Sequence, residues 1–263
     1  MNLNAQDCVM RGWAAYFRPV TQEHAQEAKQ YFEQALAMDR VSVDARVGIA
    51  TILVENVIKR WSKSPEEDVT RAEQLLLDVL ERNRNHARAH FAMGMLGRCQ
   101  GRLVESQIAL ERAIALDRNF ASAMLQLGYT LNELGEPEAA LPHFEKALEL
   151  SPRDQNIVYR YSGLGSCHLL LGHADQAVEL LRKAYAENSR IWYIPLLLAA
   201  ALGLRGDVDD ARAMLDELRK LRPEMNSFAG LRTNIQTRSS PQYAALAEKT
   251  VNVGLRRAGL PDE

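Results

Sequence analysis

A chain of 263 residues with 32 basic and 34 acidic side chains carries a formal net charge of −2, so it lacks the basic excess that draws a protein to nucleic acid. It is 47% hydrophobic and 25% charged, which is enough apolar matter to bury a core, yet only 6% is aromatic. Ala and Leu dominate the apolar set while strand-favouring residues are sparse, and this balance predicts an all-α fold.

The first helical pair is expected over residues 5–40: a helix over 5–17, a turn through Pro19, and a helix over 24–38 with Ala28, Phe32 and Ala35 on one face. The second unit, 41–86, keeps Ala72, Leu76 and Val79 but is overlong. Ala50 and Ala72 are 22 residues apart where Gly128 and Ala140 are 12 apart, an insertion of 22 − 12 = 10 residues. Ser64, Pro65 and Glu67 read as the N-cap, first position and reciprocal partner of a capping box.

From residue 87 onward the chain repeats itself. Gly94 and Gly128 are 34 apart, as are Gly101 and Gly135, Ala113 and Ala147, and Gly172 and Gly206. The clearest copy, 121–154, places Met124, Leu127, Gly128 and Leu131 on a first helix and Gly135 in a turn. Ala140, Phe144 and Ala147 follow on a second helix, and Pro152 stops it. Small residues at Gly128 and Ala140 let two antiparallel helices approach closely, and Leu127, Phe144 and Ala147 fill the space between units. A single such hairpin cannot bury its apolar face, so several must stack.

The period and these residues resemble the tetratricopeptide repeat, W-x2-L-G-x2-Y…A-x3-F…P, with Met124 and Leu131 in place of its aromatics. The resemblance implies a right-handed superhelical solenoid of about six helix pairs forming one domain, with units at about 5–40, 41–86, 87–120, 121–154, 158–191 and 192–225. Residues 155–157 are inserted before the fifth unit. Beyond the sixth, 226–239 reads as a loop or short helix. Ser240 and Pro241 open an amphipathic capping helix over 240–258, with Tyr243, Leu246, Val251 and Leu255 on its apolar side. Pro142 falls inside the second helix of the fourth unit and predicts a mild kink.

The sequence carries no recognisable catalytic set and implies no cofactor or metal. His86 and His90 are one helical turn apart but lack a third ligand of convincing spacing. Residues 163–166, Gly-Leu-Gly-Ser, hint at a nucleotide loop, yet no strand precedes them and the repeat register explains Gly165. Cys8, Cys99 and Cys167 are far apart and odd in number, which reads as free thiols in a reducing, cytoplasmic setting. Residues 1–6 lack the apolar core of a signal peptide, and the most apolar run, 194–204, is about half the ~20 residues of a membrane span. No membrane partner is expected, and the oligomeric state is not legible.

By the same resemblance, the first helix of each unit lines a concave groove. The positions beside the Leu-Gly pair are Arg46, Val47 and Thr51, then Arg88, Phe91, Met95 and Arg98, then Leu125, Tyr129 and Asn132, then Tyr159, Ser162 and Ser166. Val47, Phe91 and Leu125 stand where chaperone-binding relatives would carry clamp lysines, which argues against recognition of a C-terminal carboxylate. A polypeptide, as an amphipathic helix or apolar extended segment, suits this groove better. The alternative is a small-molecule receptor or enzyme that uses the concavity as a pocket. The chain also resembles the C-terminal repeat region of proteobacterial class III adenylate/guanylate cyclases and winged-helix regulators. Residues 4–7, 11–13, 152–154, 163–168 and 254–261 carry that likeness. It implies a regulatory or scaffolding module in bacterial signalling, without the catalytic or DNA-binding domain.

Overall fold

The computed structural model describes residues 4–234 and 239–263, and among these the chain forms fifteen α-helices and no strand. Two compact units divide it, 1–126 and 127–263, and each is built from helical hairpins stacked in the manner of a tetratricopeptide solenoid. The first unit contains α1 (Ala5–Tyr16), α2 (Gln22–Met38), α3 (Val43–Ile58), α4 (Pro65–Arg82), α5 (Ala87–Cys99) and α6 (Leu103–Leu116). The division falls inside α7 (Ala121–Leu134). The second unit continues with α8 (Pro137–Leu150), α9 (Val158–Leu170), α10 (Ala174–Glu187), α11 (Tyr193–Arg205) and α12 (Val208–Leu221). It ends with α13 (Phe228–Asn234), α14 (Pro241–Lys249) and α15 (Val251–Arg257). No helix among the described residues is long and apolar enough to cross a membrane.

Some helix starts, those of α1 and α5 among them, are fixed by side chains that satisfy orphan amides. Asn4 Oδ1 accepts the Asp7 amide at 2.8 Å and Asp7 returns the bond to the Asn4 amide at 3.1 Å, a complete capping box. His86 caps α5 through Nδ1, which accepts the Ala89 amide at 3.2 Å, while its Nε2 lies 3.3 Å from Asp44 Oδ1. That hydrogen bond holds the Asp44 carboxyl below its ordinary value against the opposing effect of burial. His90 instead turns its Nε2 to the Arg84 carbonyl at 2.9 Å, so the two histidines serve separate backbone groups. Gly101, Gly135, Gly172 and Gly206, the expected turn residues, all adopt positive φ.

The second-helix apolar residues seat between neighbouring first helices. Phe32 on α2 lies against Gly12 of α1 and Gly48 of α3, where added Cβ atoms would meet its ring at 2.6 and 2.5 Å. Phe144 on α8 is held in the same way between Gly128 of α7 and Gly163 of α9, and it is fully buried with Leu127, Ala140 and Leu181. Where the equivalent residue is the smaller Leu110 or Leu181, a single glycine faces it, Gly94 or Gly165 respectively. Gly163 therefore belongs to a packing socket. α8 runs unbroken through Pro142, which sits on the exposed side.

Several expectations are corrected. Ser64 is the N-cap of α4 and Pro65 its first residue, but the Ser64 side chain makes no cap bond. Its amide donates to Ser62 Oγ at 3.1 Å, so Ser62 stands in place of Glu67 as acceptor, and the Ser62 hydroxyl donates to Asp68 Oδ2 at 2.6 Å. The tail after the sixth hairpin, expected as a loop or short helix, does contain a short helix, α13, with 235–238 lying outside the described residues. The expected capping helix over 240–258 is two helices, broken at Thr250 (φ −126°, ψ −74°). Only the second of them, α15, buries an apolar side chain: Leu255, with Ala258 just past the helix end, packs into a core with Leu202, Leu215 and Phe228.

The insertion before α9 is closed by a buried cation that the repeat pattern does not announce. Arg160 is 2% exposed; its Nε donates to the Ala147 carbonyl at 3.1 Å and its Nη2 to Asp154 Oδ2 at 2.7 Å. Asp154 Oδ1 also accepts the Asn156 amide at 2.7 Å, which shapes the extra turn. Removing one partner strands a buried charge, whereas replacing both with apolar residues does not. Asp154→Ala is expected to cost about 3 kcal/mol in urea unfolding. The double change Asp154→Ala with Arg160→Met should recover most of that loss; equal costs for single and double variants would contradict the assignment.

Candidate interaction surface

In the first unit the expected groove positions fall into two groups. Val47 and Thr51 are fully buried, and the Thr51 hydroxyl bonds the Val47 carbonyl at 2.8 Å. Phe91 is 2% exposed, its ring 4.9 Å from that of Phe120, and Met95 is 3% exposed. Both are interhelix packing in this conformation. The half-buried members are the cations and Leu125. Arg88 lies 4.7 Å over the Trp13 ring. Arg98 Nη1 donates to Gln126 Oε1 at 2.6 Å. Arg46 pairs with Asp78 and reaches the Arg40 carbonyl at 2.8 Å.

In the second unit the positions find one another. The Tyr129 hydroxyl donates to the Tyr159 carbonyl at 2.6 Å and lies 3.1 Å from Ser162 Oγ. Its ring meets Phe144 edge-on at 5.0 Å. One turn further along α7, Asn132 Nδ2 donates to Ser166 Oγ at 2.9 Å, and the Cys167 thiol donates to Asn132 Oδ1 at 3.4 Å. Asn132, Ser162 and Ser166 are buried, whereas Tyr129 and Tyr159 keep half-exposed edges. Residues about one repeat apart thus form a polar seam between α7 and α9, and part of the predicted ladder holds the helices together. Burial pushes the Cys167 thiol up, with Glu138 adding to it, so it is an inert neutral donor.

A small cavity lies in the first unit. It is lined by Tyr16, Pro19, Val20, Thr21, His24, Ala25, Glu55 and Trp61, with a volume of about 10 Å³. Burial raises the Tyr16 phenol and the Glu55 carboxyl, which favours their neutral forms. Such a volume holds about one water, whereas ligand pockets run to roughly 300–1,000 Å³.

Known proteins share these repeats. Tetratricopeptide-repeat family models match residues 119–186 and 168–235, so the repeats there are tetratricopeptide repeats. No curated protein matches the chain. Among solved structures, TTC0263, a thermophilic TPR protein of Thermus thermophilus, is similar at 19% identity with a TM-score of 0.57, covering 75% of this chain and 98% of that one. The pilF protein of Pseudomonas aeruginosa is similar at 17% identity and a TM-score of 0.60, covering 94% and 97%. YrrB, described as a TPR protein with an unusual peptide-binding site, is similar at 19% identity and a TM-score of 0.52, covering 77% and 96%. Identities this low establish a shared fold. Tetratricopeptide proteins generally act as protein-interaction scaffolds.

The seam carries its own test. Tyr129→Phe removes one hydroxyl and keeps the ring against Phe144, so it should lower stability by about 1 kcal/mol. Chemical denaturation measures it, and a loss as large as that of Tyr129→Ala would show that the hydroxyl is the dominant contact.

Proposed function

We propose that this chain is a non-catalytic scaffold that binds a polypeptide segment through the first helices of its repeats, as a regulatory module in bacterial signalling. Arg88, Phe91, Met95, Arg98 and Leu125 serve in the first unit, and Tyr129, Asn132, Tyr159, Ser162 and Ser166 in the second. The observation that supports this most is the mixed character of the half-exposed members: guanidinium groups, a leucine and tyrosine edges. Arg and Tyr are enriched among residues that carry binding energy. The buried members act by fixing the helices that present them. The resemblance to the repeat regions of cyclases and winged-helix regulators supports the regulatory role. The buried state of all three cysteines accords with a cytoplasmic setting.

The reading is tested on a partner captured from the source organism and then purified. Arg98→Ala and Tyr159→Ala, each folded by circular dichroism, should weaken binding by about 2 kcal/mol, roughly thirtyfold, in calorimetry. Leu77→Ala and Ile108→Ala, on exposed second-helix positions, should leave it within twofold, about 0.4 kcal/mol. The opposite ranking would contradict the proposal.

A further inference from the structure

The C-terminal segment of the second unit returns to the fourth hairpin, more than a hundred residues back in sequence. The Ser240 amide donates to the Glu133 carbonyl at 2.9 Å, and the Ser240 hydroxyl donates to the Leu134 carbonyl at 2.6 Å. Both carbonyls belong to the last turn of α7. The same hydroxyl accepts the Tyr243 amide at 3.1 Å, so Ser240 caps α14 while docking it. At Gly135 an added Cβ would meet the Tyr243 nitrogen at 2.6 Å and Gln242 Cβ at 2.7 Å. Gly172 and Gly206, at the same turn of later hairpins, have nothing within 4 Å. One of these three turns is therefore shaped to receive a helix start. Tyr243 is half-buried, and desolvation raises its phenol to about 12, with Glu133 and Cys167 contributing.

The two terminal helices are held very differently. α14 has nine residues, none of them buried, and a helix of that length is marginal without tertiary support. α15 crosses α11 at backbone contact: Gly254 fits against Ala200, and Gly203 against the Gly254 carbonyl, with no room for a Cβ on either glycine. Arg257 Nη1 bonds the Leu204 carbonyl at 3.0 Å, and the Phe228 amide donates to the Pro261 carbonyl at 2.9 Å. Between the helices, Thr250 accepts the Gly254 amide and donates to Leu246 through both its amide and its hydroxyl, so it ends one helix and begins the next.

We propose that α14 is a displaceable intramolecular ligand, and that its seat at the C-terminal end of α7 takes a partner helix opening with the same pattern, Ser or Thr, then Pro, with an aromatic residue at the third helical position. This rests on the reading of the chain as a polypeptide-binding scaffold and names one of its binding modes. α15 is the anchor, Thr250 the hinge and α14 the occupant. The seat supplies two acceptor carbonyls for a hydroxyl-bearing cap and a glycine that admits close backbone approach. A tethered occupant acts at high effective concentration, so a partner in trans binds weakly until α14 is released.

The probe is a fluorescent peptide with the sequence of residues 239–250, titrated into the full chain and its Tyr243→Ala variant. Amide hydrogen exchange over 241–249 should rise at least about tenfold in the variant while 251–258 keeps its protection. The peptide should bind the variant at least about tenfold more tightly than the unaltered chain. Adding Gly135→Ala should abolish that binding. Gly172→Ala, which imposes the same positive-φ strain at an uncovered turn, should not. Unchanged exchange over 241–249, equal peptide affinity for both chains, or no peptide binding to either overturns the proposal. Dimerisation of the variant that the peptide does not reverse assigns the seat to a second copy and also overturns it. None of these outcomes touches the Arg98→Ala and Tyr159→Ala comparison, so this inference can fail while the scaffold reading stands.

Discussion

The repeats depend on the seating of one second-helix side chain between two first helices. Phe144 reaches both α7 and α9 because Gly128 and Gly163 leave its ring the volume that side chains would take, and Phe32 does the same between Gly12 and Gly48. Interiors are packed near crystal density, so ring size and glycine number must match. With leucine at the equivalent site, as at Leu110 and Leu181, one glycine suffices. The spacing of α7 from α9 follows from this socket. The seam lies at that same spacing, where Tyr129 meets both the Phe144 ring and the Tyr159 carbonyl.

The hairpins were legible in the sequence because their signals are local and recur. A 34-residue spacing of Gly101 and Gly135, or of Gly172 and Gly206, marks turns that need positive φ. Leu127, Ala140 and Phe144 mark the buried stripe. The second glycine of each aromatic socket was not legible, since Gly48 and Gly163 lie outside the repeat consensus and are explained only by a phenyl ring from the preceding hairpin. Arg160 was missed for a related reason. A lone arginine on a helix reads as solvated until the Ala147 carbonyl and Asp154 are seen beside it.

The candidate surface was read with less resolution, because repeat spacing cannot say whether a first-helix residue points at a neighbour or at solvent. Phe91, Met95 and Asn132 are turned to neighbours, while Arg88, Arg98, Tyr129 and Tyr159 keep part of their surface. The amphipathic pattern over 240–258 was visible as one helix. Its break at Thr250, and the reach of Ser240 to Glu133 and Leu134, depend on a contact 106 residues long in sequence, which no local pattern encodes. The C-terminal end of α7 is already engaged by the chain itself. Under the proposed binding mode, partner binding and release of the C-terminal segment are linked equilibria.

The dependence of the repeat spacing on the aromatic socket is measured most directly by a double-mutant cycle on Gly163→Ala and Phe144→Leu in urea unfolding. The added methyl collides with the phenyl ring but should be accommodated beside leucine, as Gly165 and Leu181 show that a leucine needs only one glycine. Gly163→Ala should therefore cost at least about 1 kcal/mol more in the original background than in the Phe144→Leu background. Costs that add within about 0.3 kcal/mol would mean the glycine and the ring are independent, and the socket would not set the spacing of the helices.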